Sequence, residues 1–281
     1  MTAGINAWLP AALFALSAWA IQRLLSKVAL ASLGTRKFYL LSAVVSMVVY
    51  APYVLVRPPA WRDLLPAFGL ACLMAITFGI TTEAIRRGPL GAVSPITALS
   101  PALTAILGLA VLGERLPPWG YAGIALAPAG VALLSLGQDS DGDRSVWVLL
   151  AFTSLVLQGV GAFIAKLVVT PSGPSALLLM GALVQVVVGL FLAPPWHWAA
   201  ADLKSRPALF TIVAYAIAAV ATIGYLLALA AGPAAVVVPL VATSPALAGV
   251  LGILLLKEES GPRRLIGIGL ALAGAVLLSG A

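Results

Sequence analysis

Four ionisable side chains interrupt long apolar stretches of this sequence: Arg23, Lys27, Glu83 and Lys166. A charge among apolar residues is costly unless it meets water, a counter-charge or a ligand, so each marks a candidate site. Arg23 and Lys27 are four residues apart and share one helical face, where two cations can hold a carboxylate or a phosphate. Lys166 takes the place in the second half of the chain that Lys27 takes in the first. Both lysines stand near the ends of apolar runs, and snorkelling to an interface is the competing reading. Glu83 is the one acidic residue inside an apolar run, which makes it the candidate for a proton-carrying carboxylate. Its spacing to Arg86 and Arg87 also fits a plain interfacial ion pair. Polar and aromatic groups able to line a pocket are Trp19, Gln22, Thr77, Thr81, Thr97, Gln158, Gln185, Tyr215, Thr222, Tyr225 and Thr243. Mostly apolar walls with a few oriented polar groups suit a small molecule. Taken singly, each of these residues also serves as a hydrogen bond between packed helices.

Other chemistry lacks equipment. Cys72 is the only cysteine and His197 the only histidine, which removes disulfides and cysteine- or histidine-rich metal sites. There is no Ser–His–Asp set, phosphate loop or pair of carboxylates, so neither an enzyme nor a bound cofactor is expected. The net charge of +7 is spread in ones and twos between apolar runs. That is the pattern of membrane-flanking loops, and nucleic acid is not an expected partner.

The elements that must position these groups follow from composition. The chain is 62% hydrophobic and 9% charged, with a mean hydropathy of +1.10, and water cannot be its main solvent. Crossing a bilayer takes about 20 apolar helical residues. Such runs cover residues 8–30, 38–56, 65–85, 90–112 and 119–136, then 146–169, 175–192, 209–230, 234–256 and 265–279. Turn signals separate them, among them Pro58-Pro59, Gly88-Pro89, Pro117-Pro118 and Gly232-Pro233. The runs are too long for barrel strands and carry no period of two. The expected fold is an all-α polytopic membrane protein of ten transmembrane helices, the first being retained and not a cleaved leader. Its lipid partner is the inner cell membrane. A first unit over residues 1–137, a polar linker over 138–145 and a second unit over 146–281 divide it.

The two units are related. Sliding the chain by 144 residues places Gly88 on Gly232, and 23 of the 50 positions from 88 to 137 are then identical. Paired landmarks include Pro95/Pro239, Pro101/Pro245, Glu114/Glu258 and Gly130/Gly274, and Thr81 falls on Tyr225. Five spans is an odd number, so the second unit enters the bilayer from the other side, giving two inverted five-helix repeats. In transporters such repeats enclose a midplane site and rock to give alternating access. A duplication that only builds a stable channel, enzyme or scaffold is the competing reading. Pro95, Pro101, Pro239 and Pro245 each remove a backbone donor within a span. Matching kinks in both units suggest gating helices beside a small-molecule chamber walled by helices one, three, four, six, eight and nine.

Trp19 with Lys27 eight residues on, Gly88-Pro89 leading to Ser100-Pro101-Ala102-Leu103-Thr104, and Leu112-Gly113-Glu114-Arg115-Leu116 together resemble the EamA-type branch of the drug/metabolite transporter superfamily. The resemblance covers nearly the whole chain, twice. The second copy departs from it at Gln158, where Trp19 has its counterpart, and at Lys257-Glu258-Glu259. It implies ten helices, one to four and six to nine around a central cavity and five and ten at the periphery, where a homodimer could form, and transport of small metabolites, often export of amino acids or related compounds. It also implies both termini inside. The positive-inside rule prefers them outside: Arg57, Arg62 and Arg115 lie on the terminal face, against ten basic residues, such as Lys37, Arg87, Arg206 and Arg264, on the other. An anionic or phosphorylated substrate remains the alternative within transport.

Overall fold

The computed structural model describes residues 8–33, 35–87, 93, 96–135, 144–192, 205–256 and 261–281. These are helical almost throughout. The helices are α1 (Trp8–Leu33), α2 (Thr35–Val56), α3 (Trp61–Arg87), α4 (Ser100–Val111), α5 (Pro118–Ser135), α6 (Arg144–Ser172), α7 (Ser175–Leu192), α8 (Arg206–Ala231), α9a (Ala234–Val241), α9b (Ser244–Leu256) and α10 (Pro262–Ser279). Among the described residues, eight stretches are long and apolar enough to cross a membrane, and Ser100–Val111 is a shorter apolar helix. With α9a and α9b forming one span, ten helices are present, as composition demands.

Packing obeys the repeat. Helix α1 lies along α8 and α6 along α3, while α2 meets both α7 and α8 and α7 meets both α2 and α3. Exchanging the two units converts each of these contacts into another on the same roll, so the units interlock and do not merely sit side by side. Equivalent helices run in opposite directions. Trp119, at the start of α5, donates its indole N–H to the carbonyl of Gly280 at the end of α10 (3.2 Å), and Gly189 late in α7 meets Leu40 early in α2. Inversion is therefore visible in the contacts themselves.

Helices α5 and α10 touch through glycine. A Cβ on Gly130 would land on the backbone of Ala271, and one on Gly274 on the backbone of Ala127. Without a hydrophobic force between helices in lipid, such close backbone approach is what drives association. The expected dimer surface of helices five and ten thus has its small-residue faces turned inward. A second copy is left their outer faces, with Tyr121, Ile266 and Val276.

The fourth and ninth spans are broken rather than kinked. Ala98-Leu99 and Ala242-Thr243 form turns at the same place in each repeat. Pro101 and Pro245 then occupy the first turn of α4 and α9b, where a missing N–H costs nothing. Pro239 lies inside α9a, and Pro95 lies outside the described residues.

Candidate functional site

Two adjoining cavities lie among α1, α2, α3, α6, α7 and α8 and share Gln185 and Thr222 in their walls, which makes them two lobes of one chamber. The first lobe, about 290 Å³, is polar: Trp19, Gln22, Arg23, Ser46, Tyr50 and Tyr215 line it. Helix α1 supplies three of these because positions 19, 22 and 23 recur at helical spacing on one face. The Trp19 indole donates to the Ala218 carbonyl (3.4 Å) and packs on Tyr225 with ring centroids 5.4 Å apart. The Tyr50 hydroxyl lies near Thr222 and Ser46, and Tyr215 near Ser42 and the Arg23 guanidinium. Tyr215 is held edge-on against Phe38, centroids 5.3 Å apart. The second lobe, about 350 Å³, is apolar, with Leu70, Ala71, Met74, Ala75, Phe78 and Leu226 among its walls.

At 1.5 Å per helical residue, Trp19 sits about 16 Å from the Trp8 end of α1 and Arg23 about 22 Å, in a hydrocarbon core of about 30 Å. Counted along α1, the polar lobe thus begins near the middle of such a span and runs towards its far end. Of the acidic residues within the described part of the chain, Asp63, Glu83 and Glu114, none lines the chamber.

The terminal end is sealed. Trp8, Ala12, Leu16, Val169, Leu178, Leu229 and the run Val236–Val241 form one buried apolar cluster below the chamber. Two charges pin it. Glu114 accepts from the backbone N–H groups of Ala234 and Ala235, at 2.8 Å each, and so caps the start of α9a with both carboxylate oxygens. Gly113, at φ +65°, makes this geometry available: the chain turns back over the end of α4 in a left-handed conformation that glycine adopts freely. Lys166 donates to the carbonyls of Leu229 (2.7 Å), Ala230 (3.5 Å) and Gly232 (2.7 Å), closing the C-terminus of α8. One short turn, Gly232-Pro233, is thus gripped by an acid from the first repeat and a base from the second.

The remaining candidates fall elsewhere. Thr77 bonds to its own helix through the Leu73 carbonyl, Thr97 through that of Val93 and Thr243 through that of Leu240. Thr81 donates to the Ser154 hydroxyl (3.0 Å) and accepts from the Gln158 amide (3.4 Å), a polar seam between α3 and α6. Glu83 pairs with Arg87 one turn on, at the end of α3. The Lys27 side chain lies outside the described ones. Trp19, Gln22, Arg23 and Tyr215 come together in the polar lobe with Gln185 and Thr222, and Tyr225 backs Trp19. Helices two and seven form walls, within the set of one to four and six to nine that the resemblance implies, while the described parts of α4 and α9a pack on one another and on α6 and α1. Ser46, Tyr50 and Met74 carried no signal in the sequence beyond their type. Glu114 did, as a landmark shared by both repeats.

Ten helices in two inverted repeats around a chamber are an architecture suited to a membrane carrier. The EamA-like transporter family matches residues 6–136 and again residues 145–280, and the chain belongs to that family. Its members are membrane transporters of small molecules, not enzymes. No curated protein matches the sequence. A solved structure described as "Crystal structure of protein" shares the fold at a TM-score of 0.76 and 17% identity, covering 97% of this chain and 96% of its own.

Proposed function

We propose that this chain is a secondary transporter of the inner cell membrane that carries small, carboxylate-bearing metabolites by alternating access. The observation that carries the reading is the chamber itself, which presents the Arg23 side chain between inverted repeats and adjoins a terminal end closed by cross-repeat contacts. Substrate settles against Arg23 and the aromatic shell of Trp19, Tyr50 and Tyr215. The repeats then rock, the Gly232-Pro233 turn parts from Glu114 and Lys166, and the opposite end closes. A guanidinium holds a carboxylate through two parallel hydrogen bonds. Lys166 is occupied by three carbonyls, which favours a singly charged carboxylate over a phosphate that would draw on both cations. Amino acids, and their export, fall within this class.

Counterflow in proteoliposomes tests the proposal. Vesicles preloaded with a panel of unlabelled carboxylates, amino acids among them, should accumulate the matching labelled solute transiently above equilibrium. Simple equilibration at a rate that never saturates would instead mark a channel, and no movement of any solute would mark a scaffold.

A further inference from the structure

The chamber has two lobes of opposite character, and a ligand that satisfied only one would leave the other empty. The polar lobe ends on Arg23, an exposed cation on the same helix face as Trp19 and Gln22. None of the described acidic residues lines the chamber, and the exposed Arg23 side chain is open to an anionic group on a substrate. The adjoining lobe offers the reverse. Leu70, Ala71, Met74, Ala75 and Phe78 from α3 face Leu226 from α8, and Tyr39, Gln185 and Thr222 are the polar side chains in its wall. Water in such a space forgoes hydrogen bonds, and an apolar group entering it gains them back for the solvent. Alanine at three of the α3 positions sets the width, and Met74 can adjust its shape to different occupants.

We infer that the substrate is an amphipathic monocarboxylate: its carboxylate pairs with Arg23 in the polar lobe, its chain passes Gln185 and Thr222, and an alkyl or aryl body fills the apolar lobe. This rests on the transporter reading and narrows it. An ammonium group is not part of the recognition. Organic cations of the same shape are excluded by Arg23, and short carboxylates bind weakly for want of a body.

The probe is 3-phenylpropanoate, with acetate and 2-phenylethylamine as the two halves of the test. Binding to the purified chain is read by quenching of indole fluorescence, Trp19 standing beside Arg23, and checked by calorimetry. The expected result is an affinity for 3-phenylpropanoate at least tenfold above that for either comparator. Arg23→Gln should lower it tenfold or more. Ala75→Leu, which narrows the apolar lobe without touching the charge, should lower 3-phenylpropanoate affinity severalfold and leave acetate unchanged. Equal or tighter binding of 2-phenylethylamine, or full affinity in both variants, overturns the inference. Counterflow separates the two levels. Vesicles that exchange some other solute but ignore 3-phenylpropanoate defeat the substrate class alone, whereas a chain that binds it and exchanges nothing defeats the transporter reading.

Discussion

Glu114 is the residue whose replacement should move the conformational balance most. Its two oxygens accept from Ala234 and Ala235, and they join the first repeat to the first turn of α9a in the second. Hydrogen bonds to a charged group contribute about 1.5–3 kcal/mol each, and a carboxylate at a helix start adds up to about 2 kcal/mol more in a partly buried setting. Glu114→Gln keeps one acceptor and loses the charge, so the closed terminal end should weaken by about 1.4 kcal/mol, a tenfold shift in the equilibrium. Glu114→Ala loses both bonds, about 3 kcal/mol or more, and the shift should exceed about a hundredfold. The assay places a single cysteine at Ala165, which lines the chamber on the sealed side, in a Cys72→Ser background. An impermeant maleimide is then added to the face bearing the termini. Labelling should quicken in the order Glu114, Gln, Ala, while labelling from the other face slows. Unchanged labelling in a folded Glu114→Ala protein refutes the latch, as does equal quickening from both faces, which would report general loosening.

Three other outcomes follow from the same geometry. Lys166→Met should lower the melting temperature in detergent by removing the cap on α8, and leave substrate affinity within twofold; a selective loss of affinity would return Lys166 to the binding site. Gly130→Ala should destabilise the fold by about 1–3 kcal/mol, the usual cost of overpacking, because its methyl meets the Ala271 backbone, and thermal unfolding reads this directly. Glu83→Gln should leave transport and its dependence on a proton gradient unchanged. The Glu83–Arg87 pair is half exposed, and such pairs contribute at most about 1 kcal/mol.

Much of the architecture was legible because the bilayer imposes length and apolarity on every span, and because the repeat left 23 identities in 50 positions. Inversion followed from an odd number of spans. The site was legible only in part. Arg23, Gln22 and Trp19 announce themselves by type and by a shared helical face. Thr81 and Gln158 looked equally suitable, but they meet each other across the α3–α6 seam, a pairing that depends on interhelical register. The prolines had one local meaning, a lost donor, and two structural outcomes. Pro101 and Pro245 begin half-helices after a turn, while Pro239 sits within one. Lys166 lies near a helix end, as its position suggested, yet its partners are the α8 carbonyls, more than sixty residues away in the chain. Long-range partners of this kind leave no trace in local pattern. Glu114 is the instructive case: its recurrence in both repeats marked it, and only the position of α9a explained why.

The central claim is that the sealed terminal end must open for solute to cross, and a reversible lock tests it. A Cβ at Gly232 would lie 2.5 Å from Cγ of Trp8, the place a cysteine sulfur at position 8 would occupy. Trp8→Cys with Gly232→Cys, in the Cys72→Ser background, therefore allows a disulfide to bind the first repeat to the turn before α9a. Oxidised protein should show no counterflow, and reduction should restore it. Undiminished counterflow through quantitatively cross-linked protein would contradict alternating access.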